Sequence, residues 1–181
     1  MFEHDYNIVG KHATYLKYMA KDKTNLSKPY IFDRYIDVFM NAAIVGFLYG
    51  RSEIKDNSSQ DRARIYADAF ATEKRQCDFI YRLIMLLDES DDDTQNERLD
   101  RAFRHDTQLD SEEAKSRHNN NMNLFNSYVL GGIEVLYEQF ILGAANREDY
   151  INRIFDITSI FKEEIECVSY ENRINELVCN S

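Results

Sequence analysis

Residues 32–51 read Phe-Asp-Arg-Tyr-Ile-Asp-Val-Phe-Met-Asn-Ala-Ala-Ile-Val-Gly-Phe-Leu-Tyr-Gly-Arg, and the spacing of their apolar side chains decides the fold class. Phe32, Tyr35, Ile36, Phe39, Met40, Ala43 and Phe47 recur at steps of three and four. That repeat builds one broad apolar face on a helix, whereas a half-buried strand alternates at every second residue. Pro29 opens the segment, since proline is tolerated where a helix begins. Ala42, Gly46 and Gly50 form a second stripe, four residues apart. Glycine inside a helix costs about 1 kcal/mol against alanine, and the close approach of another backbone is the natural compensation. Gly50 has a second reading, as the C′ residue that ends the helix.

Outward from this segment the same period continues. Tyr15, Leu16 and Met19 mark a short helix near residues 11–21, closed by the polar stretch Lys21 to Lys28. Residues 51–60 read as a loop. A long pattern then runs from Ser59 to Leu87, with Ile65, Ala69 and Phe70 in its first part and Phe79, Ile80, Leu83, Ile84 and Leu87 in its second. Glu73-Lys74-Arg75-Gln76 between them is either a solvated helical turn or a break. Asp88 to Asp93 reads as an exposed acidic connection. Thr94-Gln95-Asn96-Glu97 matches a capping box, in which Thr and Glu satisfy each other's backbone donors, and starts a helix carrying Leu99, Ala102 and Phe103. Asp110-Ser111-Glu112-Glu113 opens a longer one through Met122, Phe125, Val129, Ile133, Leu136 and Phe140, ending near Gly143. Asn146-Arg147-Glu148-Asp149 caps another, with Tyr150, Ile151, Ile154, Phe155, Ile157, Phe161 and Ile165 inward. Ile174, Leu177 and Val178 suggest a last helix. The sequence therefore predicts an all-α fold, a compact bundle of six or seven helices, in one domain spanning 1–181.

Composition agrees. The 181 residues are 44% hydrophobic and 13% aromatic, enough for a core, and contain only 6 Gly and 1 Pro, too few for the tight turns of an all-β chain. Cys77, Cys167 and Cys179 are too scattered for a disulfide framework. The N-terminal stretch has acids where a secretory signal has basic residues, and the apolar run Ala42 to Tyr49 is far short of the ~20 residues that span a bilayer. A soluble, cytoplasmic protein without membrane contact is expected. The net charge of −10 is uneven: residues 1–60 carry 8 basic and 7 acidic side chains, and residues 119–181 carry 4 and 10. Such a surface repels a phosphate backbone, which argues against broad nucleic-acid affinity but leaves room for a local basic groove.

No motif supplies chemistry. His4, His12, His105 and His118 lack zinc-like spacing, and no Glu-x-x-His pair of a di-metal bundle occurs. The acidic string at 88–93 lacks the Gly and the bidentate Glu of a calcium loop; Leu99 stands where that Glu belongs. Glu53-Ile54-Lys55 has an E-x-K shape, but the segment before it reads as helix rather than strand. Gly-rich phosphate loops and a G-x-S-x-G elbow are absent from the sequence. No cofactor and no metal is expected, and catalytic function has no support. Arg98, Arg101 and Arg104 stand at three-residue steps and, with Arg62, Arg64, Lys74 and Arg75, suggest a phosphate-gripping patch; a charged face paired with Asp92, Asp93, Glu97 and Asp100 is the plainer reading.

The block Phe32, Tyr35-Ile36-Asp37-Val38-Phe39, Ala42-Ala43, Gly46-Phe47 and Gly50-Arg51 resembles a segment of small accessory proteins encoded beside bacterial DNA phosphorothioation (Dnd) systems. There an aromatic-Tyr-x-Asp helix with paired alanines also leads to a Gly and a basic residue. The likeness covers about 20 of the 181 residues, and nothing from Ser52 onward aligns. It implies a cytoplasmic bacterial protein working beside a DNA-modification or antiphage defence complex, and it carries over no catalytic residue. The expected function is that of a non-enzymatic interaction or accessory protein, a regulatory subunit that meets a protein partner or a second copy of itself. Ala42, Gly46 and Gly50 are the candidate contact residues. The alternatives are a nucleic-acid-associated helper using Arg98, Arg101 and Arg104, and an enzyme whose site is assembled from dispersed side chains.

Overall fold

The computed structural model describes residues 2–21, 24, 29–90, 93–104, 111–144 and 146–167. The chain forms two compact units, Met1–Ile141 and Leu142–Ser181. Among the described residues there are seven helices and one pair of short strands, a mostly helical fold. In the first unit the order is β1 (Tyr6–Val9), α1 (Gly10–Met19), α2 (Tyr35–Leu48), β2 (Arg62–Ile65), α3 (Ala67–Thr72), α4 (Lys74–Leu87), α5 (Gln95–Phe103) and α6 (Glu112–Phe140). The second unit holds α7 (Arg147–Cys167).

Helix α6 is the axis of the first unit. Nine consecutive residues, Tyr128 to Leu136, are buried on it, so this stretch is covered on every side rather than along one stripe. Helices α1, α2 and α4 all lie against α6. The core is aromatic: Phe2 stacks on Phe70 at 5.4 Å, Phe39 meets Phe70 edge-on at 5.2 Å, and Tyr81 lies 5.5 Å from Phe125. Offset and edge-on ring pairs of this kind add to the stabilisation that burial alone supplies. Cys77 is buried among these helices, and its burial pushes the thiol up to about 12, which leaves it an inert apolar side chain.

Two of the caps read from the sequence are present as read, and the third begins one residue later, at Ser111, Asp110 lying outside the described residues. Thr94 and Glu97 exchange the two hydrogen bonds of a capping box, Ser111 accepts the Ala114 N–H, and Asn146 accepts the N–H groups of Glu148 and Asp149 while donating its own to Asp149. Three expectations need correction, and one open alternative is decided. The pattern from Ser59 does not begin as helix, because Arg62–Ile65 pairs antiparallel with Tyr6–Val9, Tyr6 opposite Ile65 and Val9 opposite Arg62. Ala63 and Ile65 point inward between exposed Arg62 and Arg64, a period of two too short to stand out. The charged run at 73–76 is a break at Glu73, whose φ of −101° and ψ of 21° separate α3 from α4. Phe32 lies outside α2, since its N–H and that of Ile31 bond to the Met19 carbonyl and its own carbonyl accepts the Lys21 N–H. Asp88 is buried rather than exposed, and it accepts the Tyr128 hydroxyl at 3.0 Å.

In the second unit, the Arg153 guanidinium donates to the Leu142 carbonyl at 2.7 Å. Tyr150, Ile154 and Ile157 are half-buried, but Ile151 and Phe155 are exposed, contrary to the inward placement their spacing suggests. Periodicity identifies the apolar face of a helix without supplying the neighbour that covers it. The last proposed helix, with Ile174, Leu177 and Val178, lies outside the described residues, as do His105 and Cys179.

Candidate functional site

The stripe Ala42, Gly46, Gly50 is used in two different ways. Ala42 and Gly46 are buried where α2 meets α6. A methyl on Gly46 would collide with the Tyr128 carbonyl, and one on Gly132 with the Ala42 carbonyl, so two glycines on opposite helices bring the backbones together. Gly50 is exposed at φ 60° and ends the helix. The close approach is thus made by α6 of the same chain. Gly131 and Gly132, which complete it, were missed in the sequence because no apolar period draws attention to them.

Beside this seam sits a buried charge. Glu134, on α6, accepts from Lys11 at 2.6 Å, from the His12 Nε2–H at 2.9 Å and from Arg51 at 2.7 Å. Arg51 also reaches Glu138 at 3.0 Å. Its position depends on Gly131, where any side chain would strike the Arg51 carbonyl. Burial pushes the Glu134 carboxyl up, but the hydrogen bonds of Lys11 and Arg51 outweigh it and hold the group below the usual carboxylate range. Burial in turn lowers His12, against the pull of Glu134. Its Nδ1 has no hydrogen-bond partner among the described residues, so a second ring proton would be buried and unpaired. His12 is fully buried and cannot reach a substrate; the cluster fastens α1 and the Arg51 segment to α6.

The arginines of α5 do not gather into one grip. Arg101 is buried, donating from Nε to the Met85 carbonyl at 3.0 Å and from Nη2 to the Asp88 carbonyl at 2.8 Å, while Nη1 lies 3.3 Å from Asp93. It satisfies the last carbonyls of α4 and so joins α5 to it. Arg98 pairs with Glu89 at 3.2 Å and Arg104 with Asp100 at 2.7 Å. Lys74 pairs with Asp78 at 3.6 Å.

What the first unit leaves open is an apolar surface on α4 and α5. The sequence pattern placed Phe79, Leu83 and Leu87 inward, yet they are 64%, 37% and 51% exposed. Cys77, Ile80, Tyr81, Ile84 and Met85 take the buried face instead, because α4 carries apolar residues on more of its circumference than the core can cover. Phe79, Leu83 and Leu87 stand four residues apart and form one stripe. Leu99 and Phe103, 40% and 47% exposed, form a second stripe on α5. Arg82 ties the two helices, donating to the Ala102 carbonyl at 3.2 Å with its guanidinium 5.4 Å from the Phe103 ring centre. The charged side chains on and beside these helices are of both signs and largely paired, Asp78 with Lys74, Glu89 with Arg98, Asp93 with Arg101 and Asp100 with Arg104.

Among the described residues, no three His, Cys, Asp or Glu side chains stand close enough to hold a metal ion, and no helix is long and apolar enough to cross a membrane. In comparisons with protein-family models, curated proteins and solved structures, the chain matches none.

Proposed function

We propose that the chain is a non-enzymatic accessory protein that binds a protein partner through the outer face of α4 and α5. The observation that carries this reading is the double stripe Phe79, Leu83, Leu87, Leu99 and Phe103, exposed on two helices that pack against each other. Contiguous apolar side chains within a polar rim are the composition of a binding surface, with aromatic residues supplying most of the energy. The whole chain is acidic, at −10 net, so two copies repel one another while a basic partner is attracted. The occupant is therefore a different protein with an apolar patch bordered by Lys or Arg. The likeness of residues 32–51 to accessory proteins of DNA phosphorothioation systems makes the protein products of such a system the first partners to test, in a regulatory role beside an antiphage or DNA-modification complex.

The test is co-expression of the tagged chain with those products, comparing wild type with a Phe79→Asp/Leu83→Asp variant. A defined product retained by wild type and lost by the variant, with unchanged helical circular dichroism, is expected. Equal retention by both proteins, or a wild-type chain that retains no product, overturns the proposal. Light scattering that shows a dimer abolished by the variant would assign the face to a second copy instead.

A further inference from the structure

A separate cavity of about 700 Å³ opens in the first unit where α1 ends, α2 begins and β2 runs into α3. Its size falls within the range of small-molecule sites, about 300–1,000 Å³. Four cationic side chains line it, Lys17, Lys21, Arg34 and Arg64, against two acidic ones, Asp33 and Asp68. Within the lining itself cations thus outnumber acids, although carboxylates outside it, Asp5, Asp37, Asp61 and Glu73, pair with most of them. Arg98, Arg101 and Arg104 do not line it; of the patch proposed from the sequence only Arg64 is present here.

The fold assembles these groups for reasons visible in the backbone. Lys17 stands in the last turn of α1, where cations are favoured by the helix dipole, and Lys21 follows just beyond the helix end. The Lys21 N–H bonds to the Phe32 carbonyl at 2.8 Å, which brings the end of α1 beside the start of α2 and so beside Arg34. Arg64 projects from the exposed side of β2. Most of these cations are braced by groups outside the cavity lining: Lys17 by Asp61, Arg34 by Asp37 at 2.6 Å and Glu73 at 2.7 Å, and Arg64 by Asn7 at 3.2 Å with Asp5 at 3.6 Å. Lys21 lies 3.7 Å from Asp33. Braced cations have already lost side-chain freedom, so an incoming anion meets donors in place. Arg34 directs three of its five N–H groups to Asp37 and Glu73, and two remain for a ligand oxygen.

The rest of the lining is apolar or aromatic. Ile36 and Ile65 are buried there, and Tyr35 and Tyr66 add ring surface, with the Arg64 guanidinium 5.9 Å from the Tyr66 ring centre. A bare phosphate would leave that surface unfilled, and an uncharged aromatic would leave the cations unused. We infer that this cavity binds a small phosphorylated ligand with a planar apolar part, a mononucleotide, with Arg34, Arg64 and Lys21 on the phosphate and Tyr66 against the base. A nucleic-acid strand fits less well, because its further phosphates would run onto an acidic surface.

The experiment is calorimetric titration of the whole chain with the four ribonucleoside monophosphates, the matching nucleosides, inorganic phosphate and a ten-nucleotide single strand. At least one monophosphate is expected to bind at least tenfold more tightly than its nucleoside and than phosphate, and to weaken as salt rises. Arg64→Gln and Tyr66→Ala, both at exposed positions, are each expected to weaken it about tenfold with the melting temperature unchanged. The inference fails if no monophosphate binds at millimolar concentration, if both variants bind within twofold of wild type, if phosphate alone binds as well, or if the strand binds tenfold better than any monophosphate.

Discussion

The seam between α2 and α6 and the outer face of α4 and α5 are both built from helical repeats, and the chain treats them in opposite ways. At the seam the repeating residues are small: Gly46 on one helix and Gly132 on the other leave no side chain between two backbones, and Ala42 fits the remaining gap. On α4 the repeating residues are large, yet Phe79 and Leu87 remain more than half exposed. Side-chain size is thus a poor guide to burial here. A small residue can be buried because a neighbouring backbone needs the space, and a large one stays exposed once the core facing its helix is filled.

The sharpest way to break this contrast is to enlarge the seam. Gly132→Val drives a branched side chain into the Ala42 carbonyl and is expected to cost about 3 kcal/mol or more, measured by urea unfolding followed by circular dichroism. A loss below about 1 kcal/mol would mean that α2 and α6 do not touch in this manner. Glu134→Gln keeps the shape beside the seam but removes the charge facing Lys11 and Arg51. Because both cations are partly exposed, the expected cost is about 2 kcal/mol, less than for a fully enclosed pair. Thr94→Ala removes the cap of α5 without touching either apolar stripe and is expected to cost about 1 kcal/mol. Phe79→Asp with Leu83→Asp completes the comparison from the other side. If the α4 face is open, the pair changes stability by no more than about 0.5 kcal/mol each while abolishing partner binding, and a large loss of stability would show the face to be core.

Acid adds a further test of the cluster that flanks the seam. Burial holds His12 below its ordinary value, so the unfolded chain takes up a proton that the folded chain refuses. Its contribution is complete above about pH 6.5 and declines as pH falls toward the folded value. Glu134, also held low, adds a second decline that begins near the ordinary carboxylate value of about 4.3. Urea unfolding at pH 7, 5.5 and 4 should show both steps in wild type, and the first should disappear in His12→Gln. An unchanged first step in that variant would remove His12 from the account.

The legible part of the fold was whatever a residue and its near neighbours in sequence determine. Thr94 with Glu97, Ser111, and Asn146 with Asp149 cap helices through groups at most three residues away, and the spacing along α2 and α6 follows from the pitch of a helix. The strand pair was not legible, because Arg62 to Ile65 becomes a strand only when Tyr6 to Val9 lies beside it, over fifty residues earlier in the chain. The candidate surfaces were hidden for the same reason. Arg101 turned inward because the carbonyls of Met85 and Asp88 needed donors, and Arg64 joined Lys21 and Arg34 only through pairings made at a distance.

By itself, then, the order of residues determined that the chain is mostly helical, where several helices start, and that its surface is acidic, since these depend on local backbone geometry and on formal charge. Only the tertiary structure decided which apolar faces are covered, which glycines let backbones meet, and which cations share a cavity. Burial and charge pairing are properties of neighbours in space, and one-dimensional spacing names a face without naming what lies against it.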